Sequence, residues 1–397
     1  MLTLDMVKDA AQVLREATRQ TGLVYAPNLS GKCKVFLKPE CMQVTGSFKV
    51  RGAYYKISLL SGEEKSRGVI ACSAGNHAQG VALAAQRNGI KALICLPEGA
   101  PISKVQATRS YGAEICMVPG VYDDAYARAI QLRDEKGYTF IHPFDDEAVM
   151  AGQGTLALEM LQENPDLDAI VVPIGGGGLI SGIAFAAKQL KPSIKVFGVQ
   201  ATGAPSMFNA IREGHPQRLE RVSTIADGIA VKEAGANTFP IVSQYVDQIV
   251  TVNDDEIATA ILTLIEKQKI IAEGAGAVPM AAIMFDKLPL GGKNVCCLVS
   301  GGNIDVNILS RVIQRGLLMT GRNMQFTVEL QDKPGQLELV SHIIASHGGN
   351  VIMCSHERSN AGTDVVGCYL RVEVETRDEE HIWTIRKALT DAGLKLI

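Results

Sequence analysis

From about residue 67 to residue 322 the chain alternates short apolar runs with stretches of helical spacing. GVIACS precedes HAQGVALAAQRNG, KALICLP precedes SKVQATRSYG, and DAIVVPI precedes LISGIAFAAKQL; KVFGVQ and NVCCLVS complete the set. Apolar runs rich in β-branched side chains, each followed by an alanine-rich helical pattern, predict parallel βαβ units and an α/β fold. Such sheets bind ligands at the carboxyl ends of their strands, so the loops there are where chemistry is to be sought.

The rhythm changes after Arg322. MQFTVEL alternates like a half-exposed strand, DKPG makes a turn, and LELVSHIIASHGG has helical spacing with a Gly-Gly stop. NVIMCSHERS reads as strand, NAG as a turn, DVVGCYLRVEVET as a second strand, and DEEHIWTIRKALTDAG as a helix before LKLI. The order β-α-β-β-α-β is that of a small ferredoxin-like domain. The expected boundary lies near residue 322, leaving 1–322 as one domain, with a smaller lobe at about 45–145, and 323–397 as another.

Composition adds little to this picture but excludes much. The 397 residues are 47% hydrophobic and 20% charged, with a net charge of −3, which is no footprint for nucleic acid or an anionic membrane surface. Residues 169–187 are uncharged, but four consecutive glycines and Pro173 read as strand, loop and buried helix rather than a membrane span. The nine cysteines contain no CxxC, and none of the seven histidines pairs with another at ligand spacing, so no metal site is expected. The N-terminus is charged within its first ten residues, so no signal peptide is expected, and buried free thiols would suit a reducing cytoplasm.

Three glycine loops follow predicted strands. IVVPIGGGGLISG places successive backbone N–H groups at a helix start, a ready seat for a phosphate dianion. The same loop satisfies a loose dinucleotide fingerprint, yet the next strand ends in Gln200 where an acid would hold a ribose. A tight strand–helix turn is the plain alternative. SAGNHAQG (73–80) repeats the arrangement on a scale suited to a carboxylate, with Asn76 as an added donor, and SGGN (300–303) is the third; a helix cap is the plain alternative for both. TGSFKVRGA sets Lys49 between Phe48 and Val50 at a helix start. Helix dipole and desolvation both disfavour the ammonium there, which suits the amine to act as a nucleophile; a lysine snorkelling along an exposed helix end is the plain alternative.

Six motifs now stand in order: TGSFKVRGA, SAGNHAQG, HPFDDEAVMAGQGT, GGGGLISG, EGAGA and SGGN. Together, over about residues 5–320, they resemble the fold type II pyridoxal-phosphate enzymes, and in detail the threonine dehydratases (threonine ammonia-lyases). The resemblance implies a two-lobed, tryptophan synthase β-like catalytic domain and pyridoxal 5′-phosphate as cofactor. It implies Lys49 as the Schiff-base lysine and the base for the Cα proton. Gly175, Gly176, Gly177, Gly178 and Leu179 would hold the phosphate, Asn76 the ring's 3′ oxygen, and Ser300 the pyridine nitrogen, with Phe48 packing nearby. Ser73, Ala74, Gly75, Asn76 and His77 would take the substrate carboxylate. The implied reaction is α,β-elimination of L-threonine to 2-oxobutanoate and ammonia, with L-serine going to pyruvate.

Two positions discriminate among relatives. Serine racemases carry a serine where Ala74 stands, so racemisation is disfavoured, and their cation site would fall on Gln200, Ala204 and Ser206, which offer no carboxylate. The C-terminal 75 residues resemble an ACT domain, which implies a homo-oligomer, tetramer or dimer, and an amino-acid effector near Asp332, Pro334, Gly335, Leu337 and Asn350. Isoleucine-responsive biosynthetic dehydratases carry a longer regulatory region with two such units, and here there is one. Other readings are elimination from another β-hydroxy amino acid and a non-catalytic amino-acid sensor; the sensor predicts loss of Lys49, Asn76, the tetraglycine loop or Ser300, all of which are present.

Overall fold

The computed structural model describes residues 1–358 and 366–397. Its strands in chain order are β1 (Val24–Tyr25), β2 (Lys34–Pro39), β3 (Val69–Cys72), β4 (Ala92–Pro97), β5 (Glu114–Val118), β6 (Thr139–Phe140), β7 (Ala169–Pro173), β8 (Lys195–Ala201), β9 (Gln248–Val252), β10 (Asn294–Val299), β11 (Asn323–Gln331), β12 (Asn350–Glu357), β13 (Gly367–Glu375) and β14 (Lys395–Leu396). The chain divides into two units, Met1–Leu309 and Ser310–Ile397.

The first unit holds two sheets. The smaller runs β5-β4-β3-β6, all parallel; the larger runs β1-β2-β10-β7-β8-β9, with only β1 antiparallel to its neighbour. β3 and β7 are buried at every position, because helices cover both faces of a parallel sheet, and this is why they read as unbroken apolar runs. The expected strands appear as β3, β4, β7, β8 and β10. β2 was hidden by its lysines: KVFLKP looks like a surface segment, yet Lys38 has no exposed side-chain area and pairs with Glu159 at 2.6 Å.

The helix Lys49–Ser58 divides its packing between two cores. Tyr55 joins the apolar cluster of the larger sheet, whereas Ala53 and Ile57 join that of the smaller. Glycines let the neighbouring helices approach backbone to backbone. A Cβ on Gly152, in the helix Glu147–Glu163, would lie 2.7 Å from the Arg51 carbonyl oxygen. One on Gly182, in the helix Gly178–Leu190, would collide with the Met150 carbonyl oxygen. Among the described residues no helix is long and apolar enough to cross a membrane, and residues 169–187 divide into β7, the glycine loop and the start of the helix Gly178–Leu190.

The second unit opens with residues of the helix Val306–Met319 and from Asn323 has the predicted β-α-β-β-α-β order. Its antiparallel sheet runs β12-β13-β11-β14, with the helices Gln336–Ser346 and Glu379–Asp391 burying Val340, Ile344, Ile385 and Leu389 against Phe326, Val328, Leu370 and Val372. The expected NAG turn lies outside the described residues. β12 is an edge strand whose pairing slips between Val351 and Met353, a bulge that leaves Ile352 half exposed.

Candidate active site

Lys49 is the first residue of its helix. Its amine donates to the Pro143 carbonyl at 2.8 Å and lies 5.3 Å from the centre of the Phe48 ring. Burial brings its pKa down to about 8, although the charge of Glu273 pulls the other way. Two residues on, Arg51 is wholly buried and forks onto Glu40 at 2.7 and 2.9 Å while also reaching Glu159. Burial would raise Glu40, but the charge and hydrogen bonds of Arg51 hold it below the usual carboxylate range. This bidentate pair fixes the helix that presents the lysine.

The turn before Lys49 is tied to the end of β10. The Phe48 N–H donates to the Ser300 carbonyl (3.1 Å), the Gly302 N–H to the Gly46 carbonyl (2.9 Å), and the Asn303 amide to the Thr45 carbonyl (2.7 Å). The Asn303 amide also donates to the Asn76 side-chain oxygen (2.8 Å), and Asn76 in turn donates to Glu273 (2.7 Å). Lys49, Asn76 and the SGGN loop, remote in sequence, are therefore one network. Glu273 was not foreseen as a site residue, although the EGAGA that opens the helix Gly274–Met284 was in view. Its carboxyl is buried, and desolvation followed by the charge of Asp227 pushes its pKa up to about 7.

The tetraglycine loop follows β7 at its carboxyl end. Gly177 caps the helix Gly178–Leu190 at φ 103°, a left-handed backbone that side chains avoid. A Cβ on Gly176 would strike the Phe144 ring, and the Thr238 hydroxyl pins the Gly176 carbonyl at 2.6 Å. Among the described residues, the amides of Gly176, Gly177, Gly178 and Leu179 donate to no protein group. Unused N–H groups at a helix start form an anion cradle. Pro143 receives the Lys49 amine and the next residue, Phe144, packs on the glycine loop, so one short segment joins amine and cradle.

The Ser73–His77 loop lies after β3, where the Gly75 N–H donates to the Ser73 hydroxyl at 3.2 Å. The amides of Ala74, Asn76 and His77 are likewise unused among the described residues. The His77 ring is committed elsewhere: it meets the Ile141 carbonyl at 2.8 Å, and burial, with the nearby Lys49 charge, brings its pKa down to about 3. Only its backbone is available to a carboxylate. Gln200 is buried and binds both the Ile174 carbonyl and the Phe208 N–H.

In the second unit Asp332, Pro334, Gly335 and Leu337 line one cavity of about 400 Å³, together with His356 and Arg358. Asn350, the remaining residue of the expected set, lies away from this cavity. It starts β12 and binds Glu375 at 2.7 Å, whereas the turn at Asp332 adjoins Gly367, at the opposite end of β13. An antiparallel pairing puts the start of one strand beside the end of the other, which no reading of the turn alone reveals.

Residues 14–301 match the family model described as "Pyridoxal-phosphate dependent enzyme". A curated L-threonine ammonia-lyase of Thermotoga maritima is 46% identical across 100% of this chain and 99% of its own length. Among solved structures, the processed threonine deaminase isoform 2 of Solanum lycopersicum is 37% identical with a TM-score of 0.75, covering 79% of this chain and 93% of its own. A maize serine racemase is 35% identical, also with a TM-score of 0.75, covering 80% of this chain and 98% of its own.

Proposed function

Since the chain belongs to the pyridoxal-phosphate dependent enzymes, we propose that it is a lyase deaminating L-threonine to 2-oxobutanoate and ammonia, and L-serine to pyruvate. The observation that carries this reading is the amine of Lys49, depressed to about 8 and joined through Pro143 and Phe144 to an unused anion cradle. An amine nucleophilic near neutral pH beside a phosphate seat fits a phosphorylated aldehyde. Lys49 would hold the cofactor's aldehyde end, the amides of Gly175–Gly178 and Leu179 its phosphate, Asn76 its ring oxygen and Ser300 its ring nitrogen, with Phe48 beside it. When bound, pyridoxal phosphate supplies the electron sink that acidifies the Cα–H of an amino acid and eases loss of its β-hydroxyl.

The residues of the chain do the rest. The unused amides of Ala74, Asn76 and His77 in the Ser73–His77 loop orient the substrate carboxylate, and the freed Lys49 Nζ takes the Cα proton. The Ser300 hydroxyl, unlike a carboxylate, would not favour protonation of the ring nitrogen it would hold, which suits elimination. Ala74 has no proton to deliver from the opposite face, so the likeness to a serine racemase does not extend to racemisation. The cavity at Asp332, Pro334, Gly335 and Leu337 supports an amino-acid effector on an ACT-type second unit, in a cytoplasmic homo-oligomer. The test is turnover of L-threonine by the cofactor-loaded protein. Lys49→Ala lowers it by about 10³-fold or more while leaving the fold intact by circular dichroism. Faster turnover of another β-hydroxy amino acid than of threonine would overturn the substrate assignment.

A further inference from the structure

We propose that Asp332, His356 and Cys368 form a binding site for a thiophilic divalent cation of the zinc class, in the second unit and outside the catalytic machinery. One carboxylate oxygen, one imidazole nitrogen and the thiol sulfur of these residues lie within 4.8 Å of one another. They come from three separate pieces of chain: the turn after β11, the end of β12 and the start of β13. The register explains the convergence. Leu330 pairs with Cys368, which brings Asp332 to the head of β13, and His356 pairs with Leu370, two positions along β13 from Cys368 and so on the same face.

The chemistry of the set points to one class of ligand. His356 Nε2 lies 2.9 Å from Cys368 Sγ, and Cys368 has no exposed area, so the sulfur is reached from the imidazole side. A histidine–thiol hydrogen bond alone needs no third donor; here a carboxylate also converges on the pair. Sulfur and imidazole exclude calcium and magnesium and suit zinc, whose tetrahedral bonds place ligand atoms about 3.5 Å apart. Asp332 and His356 are both exposed. The Asp332 carboxylate is held by Arg358 at 3.1 Å, but a carboxylate has a second oxygen to offer. On binding, the metal–sulfur bond replaces the S–H bond and the thiol proton passes to solvent. Carboxylate, thiolate and neutral imidazole then present two negative charges to a divalent ion. A fourth position opens onto the cavity of about 400 Å³ lined by Lys333, Gly335, Gln336 and Arg358.

Spacing in the sequence could not show this site, because its residues are 24 and 12 positions apart, far from any familiar ligand pattern (356 − 332 and 368 − 356). The test is a titration of the full-length, reduced, chelator-washed protein with Co²⁺ followed by Zn²⁺. A thiolate-to-cobalt charge-transfer band that saturates at about one equivalent per chain and is bleached by Zn²⁺ is the expected result. The band is lost in Cys368→Ser and kept in Cys354→Ser, which alters an exposed thiol on β12. Because Cys368 is buried and its replacement affects packing, His356→Gln serves as the second variant. It weakens Zn²⁺ binding by at least about tenfold in a chelator competition while circular dichroism is unchanged. No thiolate band, a band that follows Cys354 instead, or Zn²⁺ affinity equal in His356→Gln and the parent overturns the proposal.

Discussion

At the scale of single residues the site is governed by two buried ionisable groups, Lys49 and Glu273, whose pKa values of about 8 and about 7 approach one another. Lys49 attacks an aldehyde only as the neutral amine, so the rate of cofactor loading by the apoprotein rises by about tenfold per pH unit below 8 and levels off above it. A lysine at the ordinary 10.5 would show the rise continuing well past pH 9, and stopped-flow absorbance separates the two. The charge of Glu273 favours the ammonium, so Glu273→Gln moves the bend to lower pH; an unmoved bend removes Glu273 from this role. Lys49 was legible in the sequence because a charge between apolar neighbours at a helix start is a local anomaly. Glu273 was not, because its partners Asn76 and Gly301 are brought to it only by the fold. Lys38, Glu40 and Arg51 were opaque for the same reason: a buried ion pair and a surface one are spelled alike.

At the scale of elements, the strands covered on both faces announced themselves, as with β3, β4, β7, β8 and β10, whereas β5 and β9 are partly exposed and lack that signal. The helices posed a subtler problem. Glycines in MAGQGT and LISGIA argue against helix by propensity, yet they sit inside the helices Glu147–Glu163 and Gly178–Leu190 because the neighbours leave no room for a Cβ. Gly152→Ala pushes the lysine-bearing helix away and lowers stability to urea by about 1–3 kcal/mol. Gly62→Ala, at a helix start with open space around it, changes stability little or raises it, which makes it the matched control. Equal effects at the two positions would show that close packing is not what Gly152 serves.

At the scale of the whole molecule, β12 has no neighbouring strand on one side among the described residues. Val351, Ile352 and Met353 on it are 37%, 49% and 43% exposed. An apolar edge of this kind invites a second copy of the chain. On the proposed homo-oligomer, Ile352→Lys yields a smaller mass by light scattering than the parent at equal concentration; an unchanged mass removes this edge from assembly. The β-α-β-β-α-β order was readable from alternation and turns, but the placement of Asn350 was not, since register is decided by pairing rather than by order. The glycine contacts at Gly152 and Gly182 carry a last consequence. Where helices touch through backbone, no side chain between them can change rotamer to take up slack, so the spacing of the Lys49 backbone from the glycine cradle behaves as a fixed gauge. A pyridoxal phosphate homologue longer by one methylene in its phosphate arm would have to be accommodated by the lysine side chain alone.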